Sequence, residues 1–155
     1  MFVSRNLVNF VFILQYQERI YPGVMIRVTC ALIEQTAKVL VTQRSRNMPQ
    51  ALLWEFPGGK IEASETEAEC LVREIWEELS LHIQPLQRIT PVLHPMGEAP
   101  KLELIPYRCH YVGGTIQLLE HRSYHWAHPH DLPKYNWCAP DLPVVAEYLR
   151  LIAGA

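Results

Sequence analysis

The stretch from Gly58 to Leu81, GGKIEASETEAECLVREIWEELSL, decides the fold, and its centre is REIWEEL at residues 73–79. At 3.6 residues per turn, Glu74, Glu77 and Glu78 stand at i, i+3 and i+4 and share one helical face. Apolar residues recur at core-facing spacing on the opposite side; they are Ala68, Leu71, Val72, Ile75 and Leu79. The pattern predicts an amphipathic helix with a strongly acidic polar face.

Carboxylates this close repel one another, by roughly 0.2–0.5 kcal/mol for each like-charged helical pair. A divalent cation reverses that interaction. Hard ions such as Mg²⁺ or Mn²⁺ prefer oxygen ligands and commonly join carboxylates to substrate phosphates. The glutamates are therefore candidate metal ligands, and a solvated acidic helix face is the alternative.

The helix has a recognisable start. Thr66 followed by Glu69 fits a capping box, and Ser64 followed by Glu67 is a second, shifted possibility. Upstream, residues 54–59 read WEFPGG, which predicts a strand ending in a glycine turn that lets the backbone approach a ligand closely. Strand, glycines and acidic helix together indicate a cradle for a metal ion and a diphosphate.

These positions resemble the signature of the Nudix hydrolases. The matching residues are Gly59, Glu65, Arg73, Glu74, Ile75, Glu77, Glu78 and Leu81. Ser80 departs from the signature, because the family has glycine there to end the helix in a left-handed conformation. That conformation costs a non-glycine residue roughly 1–2 kcal/mol, so Ser80 bears on the helix end and removes no ligand.

The resemblance implies metal-assisted hydrolysis of a diphosphate linkage, with Mg²⁺ as cofactor and Mn²⁺ as a substitute. The metal ligands it implies are Gly59, Glu74, Glu77, Glu78 and Glu120. Glu120 stands six positions before Trp126, where the family supplies a further ligand or general base; a surface carboxylate is the alternative. His121 and His125 are weaker candidates for phosphate contact or proton transfer.

The catalytic residues that the resemblance implies are Arg73, Glu74, Glu77, Glu78 and Glu120. Glu77, Glu78 or Glu120 is expected to take the proton from the attacking water. Arg73 is expected to orient the carboxylates through a pair with Glu77 or Glu69, and Glu65 to brace the loop.

The substrate-binding residues implied are Arg44, Phe56, Lys60, Trp137 and Asp141. Arg44 occupies a position that often contacts phosphate. Phe56 and Trp137 are candidate aromatic walls for a base, with burial in the core as the alternative for Phe56. Asp141 is either the N-cap of a final helix or the polar residue that reads the base edge, because a carboxyl can accept or donate according to its ionisation.

The flanking strings LWEFPGGK and APDLP resemble the MutT and CTP pyrophosphohydrolase branch. That resemblance implies hydrolysis of a nucleoside triphosphate to the monophosphate and pyrophosphate, with oxidised purine or cytidine nucleotides as substrates in nucleotide-pool sanitation. Hydrolysis of ADP-ribose or another nucleoside diphosphate derivative is one alternative. A non-catalytic nucleotide-binding domain is the other alternative, although such domains commonly lose the glutamates of the Nudix signature, here Glu74, Glu77 and Glu78.

The composition describes an ordinary globular chain. Hydrophobic residues make up 49% of the 155 residues, and the net charge of −2 argues against a nucleic acid polymer as partner. The four cysteines are widely spaced without a CxxC pair, which is typical of a reduced, cytoplasmic protein. No stretch is long enough to span a membrane. A monomer or a homodimer is expected.

Residues 1–24 are expected to be an N-terminal extension of unknown role, with Met25 as a possible natural start, and residues 25–155 to be the Nudix domain. Strands are predicted at 25–33, 39–42, 82–93, 102–111 and 115–119, with a turn at Gly113-Gly114 and a final helix over 142–152. These elements predict an α+β fold, a Nudix-type α/β/α sandwich with a mixed central sheet.

Overall fold

The computed structural model describes residues 25–95 and 100–155, so the predicted extension at 1–24 lies outside the described residues. The strands are β1 (Ile26–Gln35), β2 (Lys38–Gln43), β3 (Trp54–Glu55), β4 (Gly58–Lys60), β5 (Leu81–Arg88), β6 (Val92–Pro95), β7 (Pro100–Gly114) and β8 (Ser123–Ala127). The helices are α1 (Glu67–Leu79) and α2 (Asp141–Ala153), and a 3₁₀ helix covers Pro129–Lys134.

The strands form one mixed sheet. Its main path runs β3-β2-β1-β7-β5, while β4 pairs with β1, β6 with β7 and β8 with β2. The central pair β1 and β7 is parallel, with Val28 opposite Leu104, and the other pairings are antiparallel. A central parallel pair needs cover on both faces of the sheet.

The two helices provide that cover on opposite faces. Alternate residues of β1 point to opposite sides, because the side-chain period of a strand is two. Val28 and Leu32 pack in the core that contains Tyr148 of α2, whereas Ile33 packs in the core that contains Ile75 of α1. The predicted α/β/α sandwich is confirmed.

Helix α1 begins as predicted. The Thr66 side chain accepts from the Glu69 N–H at 3.2 Å, and the Glu69 carboxylate accepts from the Thr66 N–H at 2.7 Å. Glu69 thus serves the cap, and of the two partners predicted for Arg73, Glu77 or Glu69, the structure shows Glu77. At the other end Ser80 adopts the left-handed conformation, with φ 55° and ψ 35°.

The apolar stripe of α1 is narrower than predicted. Leu71, Ile75 and Leu79 are fully buried, but Val72 and Ala68 are exposed, so their predicted core positions are wrong. The helix instead buries Cys70 and Glu78 beside the apolar stripe. A carboxylate thus occupies a position on the inner half of the helix.

Several strand boundaries differ from the predictions. Gly58 and Gly59 lie in β4 opposite Cys30 and Thr29 of β1, not in a turn. The Gly113-Gly114 turn is also wrong, since both residues end β7. The single strand predicted over 82–93 is two strands, β5 and β6, which both pair with β7.

The strand predicted over 115–119 is wrong as well. This segment is irregular because its N–H groups bond to the end of α1: Gln117 donates to the Leu79 carbonyl at 3.0 Å and Leu119 to the Glu78 carbonyl at 3.3 Å. The segment that leads to Glu120 is therefore held against the acidic helix.

The final helix is confirmed, with Val144, Val145 and Tyr148 buried. All four cysteines are free and buried. Within residues 25–95 and 100–155, no helix has both the length and the apolar character that crossing a membrane requires.

Candidate active site

Glu78 is the most unusual side chain of the acidic helix. It is fully buried, and neither carboxylate oxygen has a hydrogen-bond partner among the described residues. Burial, with the nearby charges of Glu120 and Glu74, raises the pKa of Glu78 well above its ordinary value. A buried carboxylate without a partner costs stability, so this position calls for a cation or a proton.

Glu74 lies directly against the glycine strand. A Cβ atom placed on Gly59 would come within 2.2 Å of the Glu74 carboxyl carbon, so glycine leaves the space that this carboxylate fills. Burial raises the pKa of Glu74 to about 7, although the Arg73 guanidinium at 2.7 Å acts in the opposite direction. Near neutral pH, Glu74 is poised between its charged and neutral forms.

Arg73 ties the helix to the preceding loop. Its guanidinium makes a bidentate pair with Glu65 at 2.6 and 2.9 Å, and it also donates to Glu77 at 3.4 Å. The predicted orienting pair with Glu77 is thus present, as the weaker of these contacts. Glu65 in turn accepts from the Glu62 N–H at 2.7 Å, which places it in the loop that it was predicted to brace.

Glu77 and Lys60 face solvent. The Glu77 side chain is 45% exposed, and Lys60 is exposed next to Gly59 in β4. Glu77 stays a predicted metal ligand, and Lys60 stays a predicted substrate contact. The three glutamates of the signature therefore lie in three environments: Glu78 is buried, Glu74 is part-buried against Gly59, and Glu77 is exposed to solvent.

Glu120 belongs to the same acidic group. It follows directly after Leu119, whose N–H donates to the Glu78 carbonyl at 3.3 Å. Its charge helps to raise the pKa of both Glu74 and Glu78. The structure thus brings Glu120, distant in sequence, to the end of α1.

Sequence reasoning missed Glu55. This part-buried carboxylate accepts from Arg44 Nη1 at 2.6 Å and pairs with His121 Nε2 at 2.8 Å. Burial favours a raised pKa for Glu55, but the hydrogen bonds and charges of His121 and Arg44 outweigh it and lower the pKa. The available signal was an acidic residue between Trp54 and Phe56, where a strand would bury it.

Two guanidinium nitrogens of Arg44, Nε and Nη1, donate to groups inside the protein. It is 5% exposed, and its Nε donates to the Pro49 carbonyl at 2.6 Å in addition to the pair with Glu55. Phosphate contact by Arg44 stays a prediction. What the structure shows is an arginine that anchors Glu55.

The second region of the site surrounds Asp141. Its Oδ1 accepts from the Phe56 N–H at 2.9 Å. The N-cap is Pro140 and Asp141 is the first residue of the helix, so the N-cap prediction for Asp141 is wrong. Burial raises the pKa of Asp141 well above its ordinary value, which favours the neutral acid.

Phe56 and Trp137 pack against each other in the core, with ring centroids 4.9 Å apart. They are 3% and 5% exposed, so the structure shows the burial that was the alternative for Phe56, and it buries Trp137 as well. Their role as walls of a base site stays a prediction.

The carboxylates of Glu74, Glu78 and Glu120 are suitable ligands for a hard divalent cation, although they are not arranged around one common metal position. In the described part of the chain, no three His, Cys, Asp or Glu side chains converge on one metal position. However, the buried Glu78 oxygens lack partners, and Glu74 and Glu120 lie close enough to perturb that carboxylate. All of these donors are carboxylate oxygens, the type that Mg²⁺ prefers.

The chain has a mixed sheet between two helices and buried glutamates at the end of one helix, beside a strand that contains two glycines. These features define the class of protein as an α/β/α sandwich with an acidic site. The NUDIX domain family matches residues 24–148, and the chain belongs to this family as a Nudix hydrolase.

Three similar proteins sharpen the comparison. The CTP pyrophosphohydrolase of Escherichia coli (strain K12) is 32% identical over 131 residues, which cover 84% of this chain and 96% of that protein. The 8-oxo-dGTP diphosphatase of Buchnera aphidicola subsp. Schizaphis graminum (strain Sg) is 25% identical over 125 residues, 81% and 94% of the two chains. The solved structure of MutT (family Nudix hydrolase) from methicillin-resistant Staphylococcus aureus 252 is 35% identical, covers 81% of this chain and 96% of that one, and superposes with a TM-score of 0.66.

Proposed function

We propose that this chain is a Mg²⁺-dependent nucleoside triphosphate pyrophosphohydrolase that converts a (deoxy)nucleoside triphosphate and water to the monophosphate and pyrophosphate. Cytidine and oxidised purine nucleotides are the proposed substrates, with nucleotide-pool sanitation as the role. The observation that carries the proposal is the buried, unpartnered carboxylate of Glu78 beside Glu74 and Glu120. The names of the relatives, a CTP pyrophosphohydrolase and an 8-oxo-dGTP diphosphatase, support the choice of substrate.

The acidic end of the site would hold the metal. Glu74, Glu77, Glu78 and Glu120 are the proposed ligands, together with the Gly59 carbonyl. When bound, Mg²⁺ neutralises phosphate charge and lowers the pKa of a coordinated water. Neutralising and positioning account for most catalysis of phosphoryl transfer.

The residues around these ligands have their own tasks. Arg73 holds Glu74 at 2.7 Å and so fixes the carboxylate that lies over Gly59. Glu77, Glu78 or Glu120 takes the proton of the attacking water. Arg44 and Lys60 are the proposed phosphate contacts, of which only Lys60 is exposed in this structure.

Asp141 would recognise the base. One of its oxygens is occupied by the Phe56 N–H, and burial favours the protonated acid. The other oxygen of a protonated carboxyl donates a hydrogen bond. Cytosine N3 and the O6 atom of an oxidised guanine are both acceptors, so both proposed bases fit this donor. Phe56 and Trp137 would support the base from below.

A panel of CTP, dCTP, dGTP, 8-oxo-dGTP and ADP-ribose, each with Mg²⁺, tests the proposal. Pyrophosphate release from CTP or 8-oxo-dGTP is the expected result, with Glu78→Gln as the inactive control. No pyrophosphate from any triphosphate would reject the proposal. Cleavage of ADP-ribose alone would move the chain to the diphosphate-derivative hydrolases, and nucleotide binding without any turnover would indicate a binding domain.

A further inference from the structure

The chain segment that carries Glu120 is fastened on both sides. On one side, Gln117 and Leu119 donate from their backbone N–H groups to the last carbonyls of α1. On the other, the Arg122 N–H donates to the Gln43 carbonyl of β2 at 2.9 Å. The segment thus bridges the end of the acidic helix and a strand of the central sheet.

The residue next to Glu120, His121, attaches the segment to the protein interior. The His121 side chain is completely buried, and its Nε2 lies 2.8 Å from Glu55 Oε1. Side-chain packing at this depth leaves little rotamer freedom. The backbone at 120–121 is therefore fixed by a contact that lies outside the acidic group itself.

Glu55 is in turn held rigidly. Its second carboxylate oxygen accepts from Arg44 Nη1 at 2.6 Å, and its backbone carbonyl accepts from the Thr42 hydroxyl at 3.2 Å. Arg44 is anchored by the Pro49 carbonyl and by its own N–H, which donates to the Leu53 carbonyl at 2.9 Å. Glu55 is thus a fixed point of the sheet.

We propose that Glu55 and His121 are positioning residues that hold Glu120 beside Glu74 and Glu78 so that the carboxylates can share a divalent cation. This inference rests on the proposed function, because it assigns Glu120 to the metal site. The physical need is clear: like charges repel, and Glu120 stays near Glu78 only if its segment is held there. Groups that orient metal ligands typically contribute 10–100-fold to metal affinity or activity.

A double-mutant cycle on metal affinity separates positioning from general stabilisation. Mn²⁺ affinity, read from the electron paramagnetic resonance signal of the free ion, is measured for the wild type, His121→Ala, Glu120→Gln and the double variant. If His121 acts through Glu120, His121→Ala weakens Mn²⁺ binding by about 10–100-fold in the wild type and has no further effect once Glu120 is replaced. Equal effects in both backgrounds, or no effect in either, would overturn the inference.

Two further variants guard the cycle. His121→Phe fills the same space without the hydrogen bond to Glu55, and it replaces His121→Ala in the cycle if the alanine variant does not fold. His82→Ala is the matched control: His82 stacks on Trp76 of α1 with ring centroids 4.6 Å apart, yet it lies outside the fastened segment. Its Mn²⁺ affinity should equal that of the wild type, and a loss there similar to that of His121→Ala would count against positioning.

Kinetics give a second readout. A displaced Glu120 should lower kcat for the triphosphate while KM changes by less than about 3-fold, because the base contacts are untouched. His121→Gln, which can still donate to Glu55, should recover part of the loss, and no recovery would contradict the assigned hydrogen bond. Because Mn²⁺ binding needs no turnover, an inactive wild type that binds Mn²⁺ would reject the proposed substrate and leave the positioning result standing.

Discussion

The two ends of helix α1 carry the same acidic residue type in opposite physical states. At its N-terminal end, Glu67 accepts hydrogen bonds from two arginines and a tyrosine, and these lower its pKa to about 2. Glu65, just before the helix, is held at a similar pKa by Arg73. At the C-terminal end, burial raises the pKa of Glu74 to about 7 and that of Glu78 well above its ordinary value.

The difference is one of partners, not of residue type. Carboxylates with cationic partners stabilise the folded chain above their unfolded pKa. A carboxylate that is buried without partners costs stability, and proteins retain such strain chiefly at functional sites. The C-terminal end of α1 is therefore where the fold gives up stability, at the carboxylates that we propose bind the cation.

Replacing the unpartnered carboxylate should have the largest effect on activity. Glu78→Gln removes a proposed metal ligand, and kcat for the best triphosphate should fall by on the order of 10³, about 4 kcal/mol of activation free energy. The metal-free variant should unfold at an equal or higher temperature, because a buried carboxyl whose ionisation costs stability is replaced by a neutral amide. Pyrophosphate release and thermal unfolding measure the two outcomes.

Glu67→Gln is the control from the other end of the helix. It should leave kcat unchanged and lower stability instead. If Glu78→Gln kept wild-type turnover, or if Glu67→Gln lost it, the contrast between the two ends would not reflect function.

The space over Gly59 allows a sharper test of the same end. Gly59→Ala would place a methyl group 2.2 Å from the Glu74 carboxyl carbon, which must then move. Displacing a catalytic group by about 1 Å can cost 10²-fold in rate, so kcat should fall by about that factor. Stability should change little, because the obstructed atoms are the end of a flexible side chain.

Gly113→Ala is the matched control, since a Cβ at Gly113 meets no atom within 4 Å. Its kcat and its unfolding temperature should stay close to those of the wild type. A Gly59→Ala variant with full activity would show that Glu74 need not lie against β4 during turnover.

The sequence could predict the helix, its capping box and the sandwich, because these follow from local periodicity and short-range hydrogen bonds. It could also predict that Glu74, Glu77 and Glu78 share one face of that helix. It could not predict how deeply each is buried: Glu78 and Glu77 are neighbours in sequence, yet Glu78 is fully buried and its backbone carbonyl accepts from the Leu119 N–H of a distant segment.

The missed features all depend on contacts between distant parts of the chain. The segment 115–119 is apolar enough for a strand, but its N–H groups find the end of α1 instead of a neighbouring strand. Asp141 stands where an N-cap is expected, yet it accepts from Phe56, which lies 85 positions earlier. Glu55 gains its partners, Arg44 and His121, from two other segments.

A smaller effect, on stability, is expected for Glu67→Gln. The Glu67 side chain is 17% exposed and belongs to a network with Arg27, Arg88 and Tyr107, so its loss should cost about 1 kcal/mol. For a chain of this size, that is about 2–4 °C in unfolding temperature. Thermal unfolding of both proteins at pH 7 measures it.

The pH dependence of that difference follows from the pKa of Glu67, which is lowered from 4.5 to about 2 on folding. A lowered carboxyl pKa contributes stability that is fully present above the unfolded value and is lost as pH falls through the folded value. The gap between wild type and Glu67→Gln should therefore hold from neutral pH to about pH 5 and close as the pH approaches about 2. A gap independent of pH would show that the network acts through packing.

The smallest expected effect is at Ser80, the residue that ends α1. Ser80 holds a left-handed conformation that costs a non-glycine residue roughly 1–2 kcal/mol. Ser80→Gly relieves this cost but gives the unfolded chain more freedom, so the net gain should be about 0.5–1 kcal/mol. Thermal unfolding should show a rise of about 1–4 °C, and Ser80→Ala should show none.

The activity of Ser80→Gly then shows whether function depends on the strained backbone at Ser80 or only on the buried carboxylates. The Ser80 N–H still closes the helix on the Trp76 carbonyl at 2.9 Å, so Glu78 should keep its place and kcat should not change. A more stable and equally active variant would show that, at this end of the helix, only the buried carboxylates lower stability for the sake of activity. A loss of activity would mean that the strained helix end itself holds Glu78 in position, and the contrast between the two ends of α1 would then extend from the side chains to the backbone.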